Sequence, residues 1–278
     1  MPPILLSGTT WGQLMRSDFE TITVERRDNH ILLVTLNRPE ASNALNTQMG
    51  LDLMELFEGF SIDLAGLRVA ILTGQGTKAF CAGGDLKQRN GMTNDEWQAQ
   101  HLIFERMLRA ILACPIPVIA AVNGAAYGGG CELAAAADFV YASTNARFAL
   151  TEVTLGIMPG AGGTQNLPRA IGERRAKERI LSGLPFTAAE AESWGLVNRV
   201  VPQDELMQAT LEIATRIAGN GPIAVRQAKQ AIQRGLQMSL ADGLAFEIEA
   251  YNRLVPTDDR REGVLAFNER RKPNFQGK

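Results

Sequence analysis

Two acids and two glycine-rich segments carry the chemistry this sequence offers. Glu132 stands alone in the apolar, alanine-rich stretch "AAYGGGCELAAAADF" (residues 125–139), and Glu152 follows twenty positions later in "FALTEVTLGIMPGAGG". An ionised carboxylate in apolar surroundings is costly, so it belongs at a helix terminus, in a charge pair or in an active site. Two such acids could supply a general base and a general acid. The segments "KAFCAGGDL" (78–86) and "NGAAYGGGCELA" (123–134) each end a strand in glycines. Missing side chains there leave backbone N–H groups open to a ligand and free to converge on a developing negative charge. Each feature also has a plainer reading: tight turns for the glycines, the helix dipole for Glu132, and capping around Thr151 for Glu152.

Competing chemistries find less support. "GQGTKA" (74–79) has the G-x-G-x-x-A form of a dinucleotide fingerprint, with Asp95 downstream, but Gly83-Gly84 would break the helix that the motif requires. "PGAGGTQ" (159–165) shares only its glycines with a phosphate loop and reads as a turn. His30 and His101 sit in a hairpin and on an apolar helical face, and no G-x-S-x-G occurs, so serine-hydrolase and zinc chemistries have little to stand on. Carboxylates and backbone therefore remain as the reactive groups, with no metal or redox cofactor implied.

The elements that position them follow from periodicity. Alternation predicts strands over 20–27 and 30–36 joined at Asp28-Asn29, and residues 67–74 form a short buried strand. Leu53, Leu56, Phe57 and Phe60 mark a helix. A capping box at Thr93 and Glu96 opens another, whose apolar stripe is Trp97, His101, Phe104, Leu108 and Ile111. "PVIAAVNG" is a strand, after which a helix opens in the glycine run at 128–130 with Glu132 in its first turn, followed by the strand "DFVYA". A second capping box, Thr187 with Glu190, is closed by Gly195 before the strand "LVNRVV". After Pro202 only helices are expected, over 203–218, 222–235, 239–254 and 257–271. The fold class is α/β with a C-terminal helical subdomain: a loose leader at 1–18, a core at 19–202 and helices at 203–278.

Composition bounds the partners. The 278 residues carry 28 basic and 30 acidic side chains, a net charge of −2, which gives no general attraction to nucleic acid or anionic membrane. Three cysteines, Cys81, Cys114 and Cys131, lack a C-x-x-C spacing and fit a reducing cytoplasm. The apolar run at 110–142 is interrupted by prolines, glycines, Glu132 and Asp138, and is read as core and not as a membrane span.

Taken together, "ILLVTLNRPEASNALN", "AFCAGGDL", "PVIAAVNGAAYGGGCELAAAADF", "FALTEVTLGIMPGAGGTQNLPRAIG" and "DDRREGVLAFNERRKPNFQGK" resemble the enoyl-CoA hydratase/isomerase (crotonase) superfamily over nearly the whole chain. The resemblance implies a spiral of β-β-α units, a homotrimer or a homohexamer built through the C-terminal helices, and an acyl-CoA thioester as substrate. It maps the oxyanion-hole N–H groups onto Ala82 and Gly129 and the hydratase acids onto Glu132 and Glu152. It places coenzyme A along Ala44, Leu45, Ala82, Gly83, Gly84, Asp85 and Leu86. Both acids together imply hydration of a 2-enoyl-CoA, with isomerisation as the alternative. The similarity is greatest to the 3-methylglutaconyl-CoA hydratase branch, part of which binds AU-rich RNA through a lysine-rich helix. The corresponding "NTQMGLDLMELFEGF" has no lysine or arginine and carries Asp52, Glu55 and Glu58, so phosphate contacts would be missing. Asn166 stands where relatives often have arginine, which puts a surface or subunit contact in question.

Overall fold

The structure, a computed structural model, describes residue 16, residues 18–27 and residues 30–278. The leader at 1–18, apart from Arg16 and Asp18, and the turn at Asp28-Asn29 therefore lie outside the described residues.

Strands β1 (Ile22–Arg27) and β2 (Ile31–Leu36) form an antiparallel pair, followed by helix α1 (Thr47–Gly59). Three β-β units follow. The first is β3 (Val69–Gly74) with β4 (Ala79–Cys81), leading to α2 (Leu86–Arg89) and α3 (Asn94–Leu112). The second is β5 (Val118–Val122) with β6 (Ala125–Tyr127), leading to α4 (Gly129–Ala136). The third is β7 (Phe139–Ser143) with β8 (Arg147–Ala149), leading to α5 (Gly163–Ile171) and α6 (Glu173–Ser182). Then come β9 (Phe186–Thr187), α7 (Ala188–Trp194) and β10 (Arg199–Val201). The tail is α8 (Leu206–Ala218), α9 (Pro222–Gly235), α10 (Leu240–Asn252) and α11 (Asp258–Asn268).

In each unit the first strand joins a six-stranded sheet, β1-β2-β3-β5-β7-β10, and the second joins a four-stranded sheet, β4-β6-β8-β9. The chain thus winds as a spiral whose turns stack, with β3, β5 and β7 parallel in one sheet and β4, β6 and β8 parallel in the other. Asn123 joins successive turns: its amide donates to Gly74 O at 2.8 Å and accepts from Gly74 N at 3.2 Å.

The large sheet is buried on both faces, as parallel sheets are. Leu32, Val34, Leu36 and Leu72 face the main core with Phe80, Phe148 and α1, whereas Ile31, Leu33, Val69 and Ile71 face Leu206, Ala209 and Ala214 of α8. Both expected capping boxes are formed, at Thr93–Glu96 and Thr187–Glu190. Arg68 holds the tail to the core through Ala218 O and Phe275 O, and Lys229 of α9 pairs with Asp138 at 2.6 Å. Helices α9 to α11 expose Leu236, Leu240, Ile248 and Phe267, the last at 83%. Among the described residues no helix is long and apolar enough to cross a membrane.

Candidate active site

The site sits where β4 and β6 end. Gly83 follows β4 with φ of +92°, a left-handed conformation, and a Cβ there would lie 2.8 Å from Tyr127 O at the end of β6. Glycine therefore brings two strand ends into contact. Gly130 packs more closely still, since a Cβ on it would come 2.1 Å from Cys81 O. Between these segments opens a cavity of about 270 Å³, lined by Leu45, Ala82, Gly83, Gly84, Leu86, Gly129, Glu132 and Glu152 among others. It is smaller than pockets that enclose a drug-sized ligand, so it suits the reacting end of a long molecule.

The backbone donors differ from the sequence expectation at one position. Ala82 N–H is already bonded, donating to Ser42 O at 3.1 Å. Gly84 N–H has no acceptor among the described residues, and neither has Gly129 N–H, which opens α4. A Cβ on Gly129 would stand 4.0 Å from Gly84 N, so the two free donors are neighbours. Gly84, read earlier only as a coenzyme contact, thus replaces Ala82 as the partner of Gly129. Spacing identifies the segment, but which N–H is free depends on Ser42, which belongs to another part of the chain.

Glu132 lies in the first turn of α4, 3% exposed. Its Oε1 accepts from Ala161 N–H and Gly163 N–H, both at 2.8 Å. The glycine loop read as a turn is one, and it also cradles an anion: this chain's own carboxylate at the start of α5. Burial pushes the Glu132 carboxyl up from its ordinary 4.5 to about 7; the Gly163 N–H opposes that shift and the charge of Glu152 adds to it. Glu152 opens a short 3-10 turn over Glu152–Leu155 and is likewise raised by burial. Thr151 occupies the capping position, yet its side chain makes no capping bond, so the capping reading fails. Oε2 of Glu152 is buried without a partner among the described residues. A buried oxygen without a donor suits a carboxyl that carries a proton or meets a ligand.

Of the other expected contacts, Ala44 and Asp85 do not line the cavity. Asp85 caps α2 through Lys87 N and Gln88 N and pairs with Arg38 at 2.9 Å, while Ala44 O accepts from the same arginine. These bonds help to hold the segment in shape. Trp97 and His101, assigned to a core stripe, line the cavity instead; Leu108 and Ile111 are buried in the core, and Phe104, also buried, reaches the cavity wall from it. Arg89 also lines it, and sequence reasoning missed it because α2 is too short to show periodicity. Cys81 is no nucleophile, since burial pushes its thiol up to about 12.

This geometry has known counterparts. The family model described as enoyl-CoA hydratase/isomerase matches residues 26–278. The 2,3-dehydroadipyl-CoA hydratase of Escherichia coli is 43% identical, over 91% of this chain and 97% of its own. The short-chain-enoyl-CoA hydratase of Clostridium acetobutylicum is also 43% identical, over 88% and 94%. Among solved structures, enoyl-CoA hydratase from Bacillus anthracis superposes with a TM-score of 0.91 at 45% identity, covering 93% of this chain and 100% of that one. Likeness of this extent, running through the β-β-α spiral and both acid-bearing segments, makes the chain a member of the enoyl-CoA hydratase/isomerase family.

Proposed function

We propose that the protein is an enoyl-CoA hydratase, adding water across a 2-enoyl-CoA to give a 3-hydroxyacyl-CoA in acyl-CoA degradation. The observation that carries this reading is the meeting of two raised carboxyls and two unoccupied backbone N–H groups in one small cavity. Hydration needs a base for water, an acid for C2 and a site for enolate charge, and the cavity has a group for each. The thioester oxygen accepts from Gly84 and Gly129 N–H. Glu132 takes a proton from water as the water oxygen bonds to C3, and Glu152 gives a proton to C2. The reverse transfer between the acids, through the next water, resets the site.

Burial raises both acids, and Glu132 stays at about 7 even with two N–H groups donating to its Oε1. The roles are assigned on geometry: the two N–H groups fix Oε1 of Glu132 as an acceptor and orient that carboxyl, whereas Oε2 of Glu152 has no donor among the described residues, which suits the group that carries the proton. The coenzyme is part of the substrate and no separate cofactor is proposed. The three unbridged cysteines agree with a reducing, cytoplasmic setting. The exposed apolar row on α9 to α11 supports a homotrimer or homohexamer.

The test is loss of 2-enoyl thioester absorbance with crotonyl-CoA, without added metal or nucleotide. Isomerisation of a 3-enoyl-CoA without any hydration would replace this reading with the isomerase one.

A further inference from the structure

Arg89 is the basic residue in the cavity's lining, among the acids Glu132 and Glu152 and the imidazole of His101. Its guanidinium is held in place from several sides. Nε donates to Gln100 Oε1 at 2.8 Å, and the buried Gln100 is itself fixed, donating to Thr47 Oγ1 at 2.8 Å and to Gln88 Oε1 at 2.9 Å. The guanidinium carbon sits 4.4 Å from the Trp97 ring centroid and 5.5 Å from that of Phe104. Gly84 makes room on another side, because a Cβ there would be 3.3 Å from Cζ. Yet the two terminal nitrogens donate no hydrogen bond, and the charge has no ion pair within 4.0 Å, among the described residues.

Burial disfavours this charge, and Glu132 and Glu152 favour it from beyond contact distance. A fixed, half-buried guanidinium with an unused pair of donors has the geometry that receives a carboxylate in bidentate fashion. An aliphatic acyl chain would leave those donors desolvated and unpaired, which is unfavourable. We propose that Arg89 binds a carboxylate at the far end of the acyl chain, so that the substrate is the monothioester of a short unsaturated dicarboxylic acid. This rests on the hydratase reading for the reaction but not for the binding.

The experiment separates the two. Glutaryl-CoA and butyryl-CoA are saturated and inert to hydration, so calorimetric Kd values report binding alone. Wild-type protein should bind glutaryl-CoA roughly 10- to 100-fold more tightly than butyryl-CoA, the range for one charge-assisted pair. In Arg89→Met that ratio should fall to near one, and Arg89→Lys should recover part of it. Equal affinities in the wild type, or a ratio that survives in Arg89→Met, would overturn the proposal. If Arg89→Met weakens both ligands equally, the arginine serves a phosphate of the coenzyme, and the proposal fails. If it shifts only the pH profile of crotonyl-CoA turnover, its role is to balance the charge of the two glutamates, and again the proposal fails. Absence of turnover of both crotonyl-CoA and its dicarboxylic counterpart glutaconyl-CoA in wild type would defeat the hydratase reading while leaving the affinity ratio to be judged.

Discussion

At the scale of residues, the two acids make opposite demands on stability and turnover. Replacing Glu132 or Glu152 by glutamine keeps size and hydrogen bonding but removes proton transfer, so each variant should lose at least ~10²-fold in kcat, the usual contribution of one acid or base. Single-turnover kinetics with crotonyl-CoA checks this, and near-normal turnover would remove that residue from the mechanism. The raised carboxyl of Glu132 also links stability to pH. Its folded value of about 7 exceeds its ordinary 4.5, so the folded state holds the proton more tightly. That contribution is fully present below 4.5 and is lost as pH rises through 7, by roughly 3 kcal/mol at most. Glu132→Gln should therefore melt higher than wild type at pH 8, with the advantage gone at pH 4.5. Both acids were legible from an acid in an alanine-rich run and a second at fixed spacing. Gly84 and Arg89 were not, because a free N–H and an unpaired guanidinium are defined by what distant residues do or fail to do.

At the scale of elements, local chemistry was legible and long-range pairing was not. Capping boxes, the prolines at 115 and 222 and the apolar periods located the long helices and the strands of the large sheet. Strands β6, β8 and β9 have three residues or fewer, too short for a period, and exist because neighbours in the spiral supply their hydrogen bonds. The closeness of α4 to β4 is another such effect. Gly130→Ala drives a methyl group against Cys81 O, which is backbone and has no rotamer to escape into. Overpacking of this kind costs ~1–3 kcal/mol or more. The variant should show a lowered Tm together with a lowered kcat, since Gly129 N–H shifts with the helix; a normal Tm would mean that α4 and β4 are not packed this closely.

At the scale of the whole molecule, charge and length indicated a protein of small-molecule substrates, and the switch from mixed elements to helices indicated an appended tail. What the tail covers is the subject of a direct test. Leu236 and Phe267 are exposed at 79% and 83%, so a charge there should alter the fold of one chain by no more than about 0.5 kcal/mol. Leu236→Asp combined with Phe267→Asp should nonetheless shift sedimentation from trimer or hexamer towards monomer. Wild-type protein that sediments as a monomer would defeat the assembly proposal.

The hydrogen bonds that hold Glu132 reach it from 29 and 31 residues further along the chain, while the bond that occupies Ala82 N–H comes from Ser42 on the other side. No segment shorter than residues 42–163 contains the reactive centre. During synthesis, then, the nascent protein acquires strands and helices long before it acquires chemistry, and catalytic competence is a late event. In refolding, activity should return after far-UV ellipticity, because closing such distant contacts is slower than forming local structure. The order of the two signals measures how much of the enzyme's folding time is spent on its active site.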